Sequence, residues 1–137
     1  MTFDAFKDLL PDVTDLNAPY WEGLAVGELR IQQCNACDAR QHPSESFCYN
    51  CGSQDITWHP VNGNGEIYSF IKVHQLYHAA FKDHLPYIVV IIQLNEGPRI
   101  LGAMFGLNAE PKIGARVRAA FQNIDDESAF LLFELAG

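Results

Sequence analysis

The pattern of apolar and polar positions changes character twice along the 137 residues. At the start, Phe3, Phe6 and Leu10 recur at three- and four-residue spacing, which predicts a short helix over 3–10 that Pro11 ends. A turn-rich stretch follows (Pro11, Asp12, Thr14, Asp15). Asn17 is then placed to cap a second helix, with Pro19 tolerated in its first turn and Gly27 at its end. That helix carries Tyr20, Trp21 and Leu24. Two large aromatics on so short a helix need a surface to cover. Trp21 is expected on the chain's own body. Tyr20 suits that body or a partner equally.

From residue 61 the period becomes two. Strands are predicted over 65–75, 87–94, 99–105, 115–123 and 129–135. Tight turns at 95–98 and 125–128 separate the second from the third and the fourth from the fifth. A polar loop at 76–86 joins the first two, and 106–114 joins the third and fourth. Five strands with a longer connection after the third fit a small closed barrel of the oligonucleotide/oligosaccharide-binding (OB) type. In the fourth strand Val117, Ala119 and Phe121 face one way and Arg116 and Arg118 the other, one dry face and one wet. The second and fifth strands are apolar on both faces. A small barrel buries only its inside, so the N-terminal helices or a partner protein must cover part of the outside.

Between the helices and the barrel the pattern is set by cysteine. A strand over 29–33 enters Cys34-Asn-Ala-Cys37, a hairpin over 38–47 containing His42-Pro43 follows, and Cys48-Tyr-Asn-Cys51 runs into Gly52, where glycine permits a sharp turn. These are the chain's four cysteines. Each CxxC wraps one side of a metal ion, and ten residues between the pairs let the chain turn back and close a tetrahedron. Four thiolates suit zinc and iron alike. With all four as ligands, no cysteine remains to act as a nucleophile. The module, roughly 29–58, is too small for a core of its own, so the metal must supply its folding energy. The chain therefore reads as mainly β in three parts: a helical N-terminal segment (1–28), a zinc ribbon (29–60) and an OB-fold domain (61–137).

Charge narrows the function. The net charge is −8, with nine Lys and Arg dispersed along the chain, which argues against a phosphate backbone or an anionic membrane as partner. The N-terminus has no basic start followed by an apolar run, and no stretch approaches the roughly 20 apolar residues that span a bilayer. The expected compartment is the cytoplasm, where thiols favour metal ligation over disulfides.

Candidate chemistry outside the cysteines is thin. His74, His78 and His84 lie at or near the 76–86 loop, but no Glu follows His74 as the metalloprotease pattern requires, so they read as loop histidines. Tyr77 and Phe81 in the same loop are apolar enough to touch a ligand or partner. Hydrolase elbow, phosphate-cradling loop and dinucleotide fingerprint are all missing, and the carboxylates show no paired context. Arg99, Arg116 and Arg118 lie in strands that neighbour one another in some barrel orders, where they can receive a coenzyme phosphate; ordinary surface arginines are the plainer reading.

Several motifs add up: Pro19-Tyr-Trp-Glu-Gly23, Gly27-Glu-Leu-Arg-Ile-Gln-Gln-Cys-Asn-Ala-Cys37, Cys48-Tyr-Asn-Cys-Gly-Ser53, Trp58, Gly63-Asn-Gly-Glu-Ile-Tyr-Ser-Phe70, Pro86-Tyr-Ile-Val-Val90, Leu94-Asn-Glu-Gly-Pro-Arg99 and Ile113-Gly-Ala-Arg-Val117. In this order, from about residue 11 onward, they resemble the zinc-ribbon plus OB-fold acyl-CoA-associated family. The resemblance implies a rubredoxin-like ribbon with Cys34, Cys37, Cys48 and Cys51 as structural zinc ligands. It also implies a non-catalytic accessory subunit of a thiolase-like acyltransferase, aldolase or synthase, or of an enoyl-CoA hydratase-like enzyme. The partner would supply the catalytic cysteine, and a CoA thioester would be bound by the hetero-oligomeric complex. The family's Pro-Pro-Arg type segment between the knuckles reads His42-Pro43-Ser44 here. The rival readings are a free-standing nucleic-acid-binding OB module, a rubredoxin-like electron carrier and a small enzyme using the loop histidines.

Overall fold

The computed structural model describes residues 3–106 and 110–136. Its first element is a 3-10 helix over Asp4–Leu9, tighter than the helix the spacing predicts, and Pro11 follows it closely. An α-helix, α1, spans Ala18–Ala25. Asn17 sits at its N-cap position but does not cap it: the side-chain Oδ1 instead accepts from the Thr14 N–H at 2.7 Å, closing the preceding turn. The other end behaves as the sequence indicates. Gly27 adopts φ +77°, its N–H donates to Leu24 O, and the Glu28 N–H donates to Gly23 O. This paired arrangement satisfies carbonyls that a helix end would leave bare.

Three strands make the first sheet: β1 (Leu29–Cys34), β2 (Arg40–Gln41) and β3 (Ile56–Val61), in the order β2-β1-β3, all antiparallel. Five more, β4 (Asn64–Val73), β5 (Tyr87–Leu94), β6 (Arg99–Met104), β7 (Arg116–Asn123) and β8 (Ala129–Leu135), close into a barrel in the order β4-β5-β6-β8-β7. The closure between β6 and β8 is parallel, with Ala103 opposite Leu132. This is the five-stranded OB barrel that the strand count and the long third connection predict. A register shift between Ile67 and Ser69 puts a bulge in β4, so that Tyr68 and Ser69 are both exposed.

Ile67, Val90, Ile92, Leu94, Ile100, Met104, Val117 and Phe133 fill the barrel, and Leu24 of α1 and Leu29 of β1 belong to the same buried cluster. The helix and the ribbon sheet are thus anchored in the barrel's own core. A second cluster forms where Phe6 meets Phe81 and Phe130 edge-on, at 4.9 and 5.6 Å between ring centres. It covers part of the apolar outer face of β8. Trp21 and Tyr20 pack on the main cluster while staying partly exposed. Among the described residues no helix is long and apolar enough to cross a membrane.

Candidate metal centre and its surroundings

The two CxxC turns are built alike. In the first, the Asp38 N–H donates to Cys34 O and the Cys34 N–H to Ala39 O; in the second, Gly52 N–H donates to Cys48 O and Cys48 N–H to Ser53 O. Both turns need a left-handed residue just after the second cysteine. Gly52 takes it at φ +78°, and Asp38 takes it at φ +64°. The result brings all four sulfurs within 4.8 Å of one another, with Cys34 to Cys51 and Cys37 to Cys48 each at 3.6 Å. A tetrahedron of metal–sulfur bonds of about 2.3 Å has edges of about 3.8 Å. The sulfurs therefore fit a tetrahedral metal ion, and at these separations they are not disulfide-bonded. Among the described residues this is the one grouping of three or more His, Cys, Asp or Glu able to hold a metal.

Donors are already aimed at the sulfurs. The Asn50 and Cys51 N–H groups point to Cys48 Sγ at 3.3 and 3.5 Å, and Asn50 Nδ2 to Cys37 Sγ at 3.5 Å. The Asn50 side chain, then the Ala39 backbone, hold the Cys37 thiol down at about 6. Cys51 goes the other way: although a hydrogen bond from the Ser53 backbone lowers it, its neighbours Cys37 and Cys34 push it up to about 12. A bound dication would remove that opposition, since a coordinating thiol is deprotonated outright.

Behind the knuckles lies a polar network that no motif announces. Gln32 and Gln41 are opposite residues on β1 and β2, and both are buried, with 4% and 5% exposure. Gln41 Nε2 donates to Gln32 Oε1 at 2.8 Å and to Phe47 O at 3.0 Å; Gln32 Nε2 donates to Glu45 O at 3.0 Å. In return Gln32 Oε1 accepts from Glu45 N–H, and Gln41 Oε1 from Tyr49 N–H, both at 2.9 Å. Two side-chain amides thus serve loop 42–49 as a neighbouring strand would. Their only trace in the sequence is a polar residue at an inward position of a strand.

The remaining candidates do not form a second centre. β8 separates β6 from β7, so Arg99 does not neighbour Arg116 and Arg118 in this barrel order. Arg99 lies over the Tyr68 ring at 3.8 Å, and Arg118 Nε pairs with Glu134 at 2.6 Å. His74 is exposed, and His78 Nδ1 accepts from the Ala80 N–H at 3.0 Å to cap a 3-10 turn, Ala79–Phe81. His84 is buried against Phe3, its ring centre at 4.8 Å. Phe81 packs on Phe6 and Tyr87, whereas Tyr77 stays 71% exposed.

Residues 21–57 match the family model of the ChsH2 rubredoxin-like zinc ribbon domain, and residues 58–122 that of the ChsH2 C-terminal OB-fold domain. The chain belongs to the ChsH2 (DUF35) family. A solved family chain from an "Ltp2-ChsH2(DUF35) aldolase" superposes with a TM-score of 0.84 at 32% identity, over 93% of this chain and 100% of that one. A "DUF35 domain-containing scaffold protein" of Methanocaldococcus jannaschii is 30% identical over 97 residues, 69% of this chain and 68% of the relative. A "probable enoyl-CoA hydratase alpha subunit" of Thermomonospora curvata is 32% identical over 127 residues, 92% of this chain. The chain spans only 39% of that hydratase subunit's length. The family resemblance read from the motifs is thereby established, as are the zinc ribbon and the OB barrel.

Proposed function

We propose that this chain is a non-catalytic, zinc-binding accessory subunit of an enzyme complex acting on acyl-CoA or related acyl thioesters. The observation that carries the reading is the commitment of all four cysteines to one metal-sized cluster, on a family fold whose barrel strands leave Tyr68, Ile71 and Leu101 exposed. Zinc in that cluster, held by Cys34, Cys37, Cys48 and Cys51, would fix the ribbon's shape and take no part in bond making. A thiol nucleophile, where the reaction needs one, would come from the partner. The surroundings of the histidines support the same division of labour, since His78 caps a turn and His84 is stacked in a core.

The partner's class divides two finer readings. A thiolase-superfamily enzyme, forming or cleaving a carbon–carbon bond next to the thioester, is the first. An enoyl-CoA hydratase-like enzyme is the second, favoured by the name of the Thermomonospora relative. The test is co-expression of the chain with the thiolase-like or hydratase-like product of an adjacent gene. Purification of a stoichiometric complex, active in thioester carbon–carbon chemistry or in hydration respectively, selects between them. Turnover by the chain alone, or no stable complex with either, would sink the proposal.

A further inference from the structure

The two knuckles match residue for residue, and one side chain breaks the match. Cys34 and Cys48 stand at corresponding places, as do Cys37 and Cys51, and the turns carry the same backbone bonds. The sulfurs meet crosswise, Cys34 with Cys51 and Cys37 with Cys48, both at 3.6 Å. Cys34 and Cys48 are the buried corners of the cluster, while Cys37 is half-buried and Cys51 exposed. Cys37 and Cys51 therefore form the side that a chelator or an electrophile reaches. Each has the backbone of the residue two further on, Ala39 or Ser53, bonding its sulfur. To this point the two accessible corners are alike.

Asn50 makes them differ. Two residues after Cys48, it donates its backbone N–H to Cys48 Sγ at 3.3 Å and its Nδ2 to Cys37 Sγ at 3.5 Å. One residue thus holds a sulfur from each knuckle. Asn50 is exposed, and among the described residues its side chain has no other hydrogen-bond partner, so the sulfur is what orients it. The corresponding place two residues after Cys34 is taken by Ala36, which has no side-chain donor to offer Cys51. A four-thiolate site around a dication carries an excess of negative charge. N–H groups aimed at its sulfurs disperse that charge and fix each ligand's direction, and loss of such a partner typically weakens metal binding about 10–100-fold.

We propose that Asn50 is the positioning residue of the metal centre: it ties Cys37 of the first knuckle to the second and sets the order in which the ligands let go, with Cys51 first. The role presupposes the four-cysteine metal site and adds which corner of it opens. In the opening step the Cys51 sulfur leaves the metal with its bonding electron pair, and a donor atom of the competing chelator takes its place.

The experiment uses the full chain loaded with zinc(II) or, for its spectrum, cobalt(II). Iodoacetamide in less than stoichiometric amount, followed by mass spectrometry of the digested peptides, reads which sulfur is alkylated first. Zinc loss is followed with 4-(2-pyridylazo)resorcinol as chelator. In the wild-type chain Cys51 is expected to be alkylated about tenfold ahead of Cys37. Asn50→Leu keeps a side chain of similar size and removes the donor. It is expected to bring Cys37 level with Cys51 and to speed zinc loss about tenfold. It should also move the sulfur-to-cobalt charge-transfer band to longer wavelength, because Cys37 is then richer in electron density. A purely structural role of Asn50 would leave that band where it is. Should Asn50→Leu take up no metal, the order of alkylation in the wild-type chain decides alone. Alkylation of Cys37 before Cys51 in that chain would overturn the proposal, as would a metal-loaded Asn50→Leu with the wild-type rate of zinc loss and an unmoved band. Both results leave the metal site standing. A wild-type chain that takes up neither zinc nor cobalt in a one-to-one ratio would overturn the metal site itself, and the role of Asn50 with it.

Discussion

Asp38 and Gly52 stand at the same place in the two knuckles, and only one of them suits it. A left-handed residue costs an L side chain roughly 1–2 kcal/mol unless it is glycine or a short polar residue that bonds locally. Gly52→Ala is therefore expected to lower ribbon stability by about 1 kcal/mol, and Asp38→Gly to leave it equal or slightly higher. Thermal melts of the metal-loaded protein measure both. The CxxC spacing shows the ligands at once, and Gly52 shows its turn. Asp38 does not, because aspartate adopts many conformations and nothing local marks this one. His42 is equally silent in the sequence. Its ring lies 5.2 Å from that of Tyr20, and burial lowers its pKa to about 4. The unfolded chain takes up that proton near 6.5, so stability from the neutral ring is complete above pH 6.5 and declines as pH falls toward 4. His42→Asn should remove a component on the order of 2 kcal/mol from the acid slope of denaturant-measured stability, with the slope due to the thiols left in place.

At the scale of elements, alternation made the barrel readable. Strands that are dry on one face and wet on the other, such as β7, or apolar throughout, such as β5 and β8, stand out from the turns between them. Elements held by contacts distant in sequence were not readable. The bulge at Tyr68 depends on how β4 meets both β5 and β7. Asn17 differs for a local reason: its amide oxygen accepts from the Thr14 N–H three residues back instead of from a helix N–H. Strand β2 is two residues long, and it is the Gln32–Gln41 pair, not a ladder, that ties loop 42–49 to the sheet. Gln41→Leu leaves Gln32 Oε1 short of one donor and the Phe47 carbonyl and Tyr49 N–H without this partner. It should cost roughly 1–3 kcal/mol. Faster amide exchange confined to 42–49 would localise the effect there. The metal acts on the same element from the other side. Chelation should collapse the amide resonances of 34–55 and leave those of the barrel strands dispersed, because the barrel's core of Val90, Ile92 and Ile100 owes nothing to the sulfurs. Simultaneous loss of both sets would show that the ribbon and barrel fold as one unit.

For the whole molecule, strand order decides what single residues cannot. Arg99, Arg116 and Arg118 look like a phosphate site only in a barrel where their strands touch, and insertion of β8 between β6 and β7 separates them. The apolar excess of β5 and β8 could be counted from the chain, and the N-terminal helices do cover part of it. As the proposed accessory subunit, this chain would complete an acyl-thioester enzyme without performing its chemistry. The most direct measurement titrates the metal-loaded chain into its purified enzyme partner and follows thioester turnover. An accessory role predicts no turnover by the chain alone, and a rate that rises and then saturates at a fixed stoichiometric ratio. Turnover by the chain alone, or a partner whose rate and mass are indifferent to it, would rule that role out.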